Sequence, residues 1–447
     1  MTQHPYLALT DDDREEMLRT IGVSSVEELF RDIPAGVRFD RELDLEPALS
    51  EHELSAHLSE LAARNVDSTR ELSFLGAGIY DHYVPAVVDA VFQRGEFLTA
   101  YTPYQPEMSQ GVLQAIFEYQ TAICELTGMD VSNASGYDGT TVTADACFIA
   151  KHATNRAKVV VTEATNPQVR QVVKTYAPGF GLEVVEVPHS GGTTDPDDVR
   201  RAAEDAAAVI FQQPNVFGCL EPAPELAAAA GDAGALPIVH VDPLSLGVLE
   251  APGRYGCAIA LGEGQAAGNF PSFGGPHYGF LAARQDYIRR MPGRIVGETI
   301  DAAGRRGYVL TLQTREQHIR REKATSNITT NQTLLALGGL VYLTWLGPQG
   351  LREVGEACLS LGAYAKQQLA ARGLEPLFSE RTTFKEFAVR VGRSAKDVVR
   401  AARERGVNPG YALGRDYAGL DDALLVAITE RRTTADIDTL VEALAAA

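Results

Sequence analysis

PIVHVDPLSLG, residues 237–247, is the stretch from which the fold is read. Its first six residues form a short apolar, β-branched run that ends at Asp242, the pattern of a strand buried on both faces. Working outward, the same pattern recurs in KVVVTEA (158–164), LEVVEV (182–187), AAVIFQQ (207–213), CAIALG (257–262) and YGFLAA (278–283), with Ala-rich stretches of helix length between them. Strand and helix in alternation predict an α/β fold, a mostly parallel sheet with helices on both faces.

The flanks differ in character. From Thr10 to about Asn65 the chain is polar and helical, with capping signals at Thr10 and at Ser25, so residues 1–70 are expected to form an N-terminal helical arm. FLGAGIYDHYVP (74–85) and GEFLTAYTPYQPEMSQG (95–111) are turn and loop chemistry, rich in tyrosine, and either clamp the packing or present a functional surface. They open a large domain, 71–330. The last third, 331–447, begins with the apolar helix NQTLLALGGLVYLTWLG (331–347). It continues into a smaller C-terminal α+β domain with strands near FKEFAVRV (384–391) and LLVAITE (424–430).

Composition excludes several partners. A formal charge of −19 repels phosphate backbones, so nucleic acid is not expected. Five cysteines without CxxC and nine histidines without HExxH predict no metal site. The N-terminus has no basic stretch followed by an apolar core, and no uninterrupted apolar run reaches the ~20 residues that span a bilayer. The expectation is a soluble, cytoplasmic protein in a reducing compartment.

The order of the large domain resembles the fold-type I, aspartate aminotransferase-like enzymes that use pyridoxal phosphate. That chemistry needs three things. A small-residue loop opening a helix holds the phosphate, and Gly139, Thr140 and Thr141 of NASGYDGTTVTADACFIA (133–150) stand there, although a plain capped helix reads the same way. An aspartate after a central strand pairs with the pyridinium, and Asp242 is so placed, although a lone aspartate there is more often a turn cap. A lysine further on binds the aldehyde, and none is there. Only 7 of the 40 basic residues are lysines; the next after Asp242 is Lys323, 81 residues downstream in REQHIRREKATS, and it reads as a solvated surface residue. The expected window holds GEGQAAGNFPSFGGPHYGF (262–280), where Gln265 stands at the lysine's position, and an amide makes no Schiff base.

FLTAYTPYQPEMSQGVLQAIFEYQTAICELTGMDVSNASGYDGTT (97–141), GGPHYGF and MPGRIVGETIDAAGRRGYVLTLQTREQHIRREKATSNITTNQTL (291–334) resemble the P-protein of the glycine cleavage system, in particular the N-terminal half that some organisms make as a separate subunit 1. The likeness covers essentially the whole chain. It implies a decarboxylating glycine dehydrogenase whose pyridoxal phosphate sits on a lysine of a second subunit, in a heterotetramer of two each. That enzyme decarboxylates glycine, releases CO2 and passes the aminomethyl group to the lipoyl arm of the H-protein. Inactive alone, this chain would shape the site across the interface through Tyr101, Thr102, Tyr104, Gln105 and Glu107. The alternative is that the tyrosines only fill the interface.

Residues 284–323 carry ten basic side chains, Arg315 among them, against five acidic ones, which suggests an anion site or an acidic partner surface; intersubunit ion pairing competes with that reading. His277 and His82 stand near the presumed site as proton carriers or as structural histidines, and His240 as a core group behind Asp242. Two rivals remain: a self-sufficient enzyme with a displaced lysine such as Lys151, Lys158 or Lys174, and a non-catalytic regulatory relic.

Overall fold

The computed structural model describes residues 6–39 and 41–447. By its contacts the chain divides into two units, Met1–Val66 and Asp67–Ala447. In the first, helices α1 (Asp11–Ile21) and α2 (Glu51–Ala62) each begin with a reciprocal capping box, Thr10 with Asp13 and Ser50 with Glu53, and neither helix buries a residue. Ser25 precedes a short 3-10 turn, Val26–Phe30, and makes no side-chain cap.

The second unit is built on a seven-stranded sheet. In chain order its strands are β1 (Val131–Ser132), β2 (Lys158–Thr162), β3 (Glu183–Val187), β4 (Ala206–Gln213), β5 (Leu236–Val241), β6 (Ile259–Glu263) and β7 (Gly279–Ala283). In space they run β1-β7-β6-β5-β4-β2-β3, parallel from β6 to β3, with β7 antiparallel to both of its neighbours. Alternate residues of β4 explain why the sheet is covered twice. Val209 and Phe211 enter one buried cluster with Tyr119, Tyr278 and Phe280, while Ala208 and Ile210 enter another with Phe148, Ile149 and Leu281.

Helix α3 (Gln110–Thr127) packs on the sheet and on a hairpin of β8 (Val296–Ile300) and β9 (Arg306–Leu310). Helix α4 (Gly139–Thr154) is buried along most of its length. Helix α5 (Thr333–Ala370) is long and apolar enough, by length and composition, to cross a membrane. It is nevertheless broken at Gly347 (φ +60°) and Pro348, and it buries Ala336, Leu337, Gly339 and Tyr342 in the body of the fold, as a core helix does. Its second half lies under an antiparallel sheet of β10 (Glu386–Arg390), β11 (Tyr411–Ala412) and β12 (Ala423–Ala427) with helices α6 (Ala395–Arg403) and α7 (Thr434–Ala446). Ala365, Leu369, Phe387, Val389, Val398, Leu424 and Leu440 form that core. The carboxyl ends of β5 and β6, where such sheets bind ligands, deliver Asp242 and Glu263.

Candidate functional site

Asp242 follows β5 and turns the chain with one carboxylate oxygen, which accepts the Leu244 N–H at 3.0 Å. The other oxygen is ion-paired with the ammonium of Lys385, from the turn leading into β10. That ammonium also lies 3.0 Å from His82 Nε2 and 3.5 Å from the centre of the Tyr80 ring. An ammonium only donates, so Nε2 accepts and the ring proton sits on Nδ1, which donates to Glu430 at 2.5 Å. Burial, then the Lys385 charge, push the His82 imidazole down, and the hydrogen bond to it holds the Glu430 carboxylate at about 2 against the opposing effect of burial. His82, Cys358 and Glu430 lie within 4.8 Å of one another. Cys358 donates to Glu430 at 3.8 Å and burial pushes its thiol up to about 12, so the trio is a hydrogen-bonded chain.

Gln265 is fully buried. Its Oε1 accepts the Tyr80 N–H at 2.8 Å, and its Nε2 donates to the carbonyls of Tyr80 at 2.9 Å and Asn269 at 2.8 Å. Two residues earlier, Glu263 accepts the Gly139 N–H at 2.9 Å. Burial pushes the Glu263 carboxyl up to about 8. Asp138 caps the same helix start, accepting from Thr141 N at 2.8 Å and from the Thr140 hydroxyl at 2.6 Å.

The structure thus brings Gly139, Thr140, Thr141, Asp242 and Gln265 to the carboxyl ends of the strands, each with a partner from this chain. A phosphate at Gly139 would meet Glu263 and Asp138, a pyridinium at Asp242 would meet Lys385, and the Gln265 amide forms no Schiff base. The residues present do not fit pyridoxal phosphate.

The other predicted residues lie apart. His277 is buried, with Nε2 3.1 Å from the Pro271 carbonyl, and burial lowers its imidazole. His240, on β5, is pushed down to about 4 by desolvation. Two of the displaced-lysine candidates are engaged elsewhere, Lys174 with Glu186 at 2.7 Å and Lys151 with the Phe180 carbonyl, and Lys158 begins β2, at the end of that strand away from the carboxyl ends.

The 101–107 loop projects. Tyr101 is 96% exposed, and Thr102, Gln105 and Glu107 are exposed beside it. Tyr104 turns inward, its hydroxyl on Asn331 and its ring 5.2 Å from the Arg294 guanidinium. Arg294 pairs with Glu316. Next to them Arg315 is only 9% exposed and donates through Nη1 to the carbonyls of Met291 and Gly293 at 2.5 and 2.6 Å. Burial lowers its guanidinium to about 10. Arg315 Nε and Nη2, Arg294 Nε and Glu316 Oε1 have no hydrogen-bond partner among the described residues. Elsewhere in the basic segment Arg305 pairs with Asp301 at 2.9 Å and Arg306 with Glu298 at 2.8 Å, so part of the charge is neutralised locally.

Sequence reasoning missed Lys385, Glu386 and Glu430. One signal was available: Lys385 and Glu386 stand side by side at the head of the strand run FKEFAVRV, before most of its apolar residues.

The sequence model of the family described as "Glycine cleavage system P-protein" matches residues 4–444. Chains named "Probable glycine dehydrogenase (decarboxylating) subunit 1" from Anoxybacillus flavithermus and Carboxydothermus hydrogenoformans are 50% and 51% identical over 442 and 440 residues, 99% and 98% of this chain and 98% and 99% of theirs. A crystal structure of glycine decarboxylase (P-protein) of the glycine cleavage system, in inhibitor-bound form, superimposes with a TM-score of 0.90 at 44% identity, covering 99% of this chain and all of that one. Sphingosine-1-phosphate lyase of Burkholderia pseudomallei superimposes at 0.64 with 16% identity, over 91% of this chain and 94% of its own. The last likeness carries the fold alone, and with the sheet order it bears out the fold-type I expectation.

Proposed function

The chain belongs to the P-protein family of the glycine cleavage system, as a subunit of decarboxylating glycine dehydrogenase, and from that premise we propose that it works only together with a second, pyridoxal phosphate-bearing subunit. The partner's lysine holds the cofactor. The pair, an oxidoreductase acting on a CH–NH2 donor, decarboxylates glycine, releases CO2 and delivers the aminomethyl group to the lipoyl arm of the H-protein. We read it as a cytoplasmic heterotetramer, two of each subunit, without nucleic acid, membrane or metal.

One observation carries the reading. Gln265, which we place at the position of the cofactor lysine, is buried and hydrogen-bonded to the main chain, and subunit 1 relatives match this chain over 98–99% of its length. This chain's contribution is then at the shared boundary. Tyr101, Thr102, Gln105 and Glu107 project with their polar groups outward, and Tyr104 is braced from behind by Arg294. The unpartnered donors of Arg315 and Arg294 support a polar group arriving from the partner side.

Reconstitution tests this. The lone chain should show no glycine–bicarbonate exchange, and adding the lysine-bearing subunit should restore it. Exchange by the lone chain, or none from the pair, overturns the proposal.

A further inference from the structure

We propose that the former cofactor site of this chain is an ion clasp, in which the Lys385 ammonium takes the place of a pyridinium on Asp242, keeps pyridoxal phosphate out, and fastens the C-terminal α+β segment to the carboxyl ends of the central strands. The proposal rests on these contacts alone and stands whether or not the paired subunits decarboxylate glycine.

Four observations carry it. First, the Lys385 side chain is only 1% exposed and is spent on three groups from other parts of the chain: the Asp242 carboxylate, the His82 imidazole and the Tyr80 ring face. A buried ammonium is tolerated only when it is paired and hydrogen-bonded in this way.

Second, the backbone is bent to put it there. Lys385 has φ +46°, and the Glu386 N–H reaches back to the Phe384 carbonyl at 2.6 Å, closing a tight γ-turn. That conformation is strained for a side-chain-bearing residue and persists only where the surroundings over-determine it. The strain aims the lysine at Asp242 rather than at solvent.

Third, the groups behind the lysine are themselves tied. Glu386 accepts the Ala77 N–H at 2.7 Å and the Tyr80 hydroxyl at 2.7 Å, and Glu430 accepts the Tyr83 N–H at 2.8 Å as well as the His82 proton. Asp81 is held by Arg431 and Arg432. Segments 77–83, 242–265 and 385–432 thus meet at one cation, and the hydrogen bonds are those of a finished joint rather than of an open ligand site.

Fourth, Lys385 is at the wrong end to serve as a displaced cofactor lysine. In pyridoxal phosphate the ring nitrogen and the carbon bearing the aldehyde are opposite each other across the ring. An amine seated on the aspartate that would hold the nitrogen sits where the ring would go and away from where the aldehyde would point.

The test uses the full chain, alone and paired with the lysine-bearing subunit. Titration with pyridoxal phosphate, and with pyridoxamine phosphate, which forms no Schiff base, should show no saturable binding to the lone chain up to about 1 mM. The pair should take up one cofactor for each two chains. Micromolar binding to the lone chain, or uptake by both chains of the pair, overturns the exclusion. For the joint, Lys385→Met leaves the largely enclosed Asp242 carboxylate, 11% exposed, without its cation and should lower Tm by about 5 °C or more. Adding Asp242→Asn should recover at least half of that loss, or give a folded chain where the single substitution does not. A double variant no more stable than Lys385→Met alone overturns the clasp.

Discussion

The side-chain amide of Gln265 grips the main chain of Tyr80 at two points, accepting its N–H at 2.8 Å and donating to its carbonyl at 2.9 Å. Placing a lysine there by Gln265→Lys therefore does not create a cofactor site. It removes the acceptor for the Tyr80 N–H and puts an ammonium into a pocket shaped for an amide. With one buried group stripped of its partner, the expected loss is about 2–3 kcal/mol of stability, read as a lower Tm. No adduct should be fixed on residue 265 by borohydride after incubation with pyridoxal phosphate. A fixed adduct would mean that the lysine is all the site lacks.

Tyr101 separates an interface role from a packing role. It is 96% exposed, so Tyr101→Phe should leave the Tm of the lone chain within the ~0.5 kcal/mol of an ordinary surface change. In the reconstituted pair the lost hydroxyl should lower glycine–bicarbonate exchange by about tenfold, the worth of one hydrogen bond in the right place. Unchanged exchange would return Tyr101 to the interface fillers. Arg315→Ala behaves differently. It frees the Met291 and Gly293 carbonyls, so the lone chain should already lose about 1–3 kcal/mol.

The strands were legible because their signal is local. The six runs marked for the large domain are all strands of the central sheet, because each carries a short apolar stretch; β3, at the sheet edge, was legible from Val184 and Val185 even though Glu183 and Glu186 are exposed. The two-residue β1 and the β8–β9 hairpin were not legible, being too short or too exposed to carry a period. The 331–347 helix ends where it was read to end, because the backbone leaves the helical region at Gly347 (φ +60°); a second helical stretch then starts at Pro348 and runs to Ala370. Of the candidate site, the absence of any lysine between Asp242 and Lys323 is plain in the sequence. Lys385 was not, for it lies 143 residues beyond Asp242 and reaches it through a strained turn that no propensity predicts. The capping role of Ser25 failed for a related reason: the following turn is 3-10 and uses no side-chain acceptor.

Gly139 stands hard against the main chain at the end of β6. A Cβ there would lie 2.6 Å from the Glu263 main-chain nitrogen and 2.9 Å from its Cα. Both are backbone atoms of the central sheet and cannot swing aside. Gly139→Ala should cost about 1–3 kcal/mol by overpacking, seen as a lower Tm of the lone chain and weaker pairing with the second subunit. An unchanged Tm would show that the helix start stands further from β6 than 2.9 Å contacts imply.

Asp145 gives the chain a pH-dependent stability that can be isolated by one substitution. It sits within α4, almost fully buried, near Cys147 and Asp138, with the Ser326 hydroxyl as its hydrogen-bonding partner, and burial raises its carboxyl to about 7. The folded chain therefore keeps a proton that the unfolded chain, with an ordinary aspartate near 3.8, has released. The sign follows from linkage. The contribution is fully present below about 4, shrinks as pH rises, and is gone once pH passes about 7, where the folded chain must carry a buried charge. Over that window the swing is on the order of 4 kcal/mol. Glu386, raised to about 7, and Glu263, raised to about 8, act in the same sense, so the wild-type Tm should fall between pH 6 and 8.5. Asp145→Asn keeps the shape and removes this proton. Its Tm should fall less steeply over the same range and exceed that of the wild type at the alkaline end, and parallel Tm–pH curves for the two chains would refute the assignment.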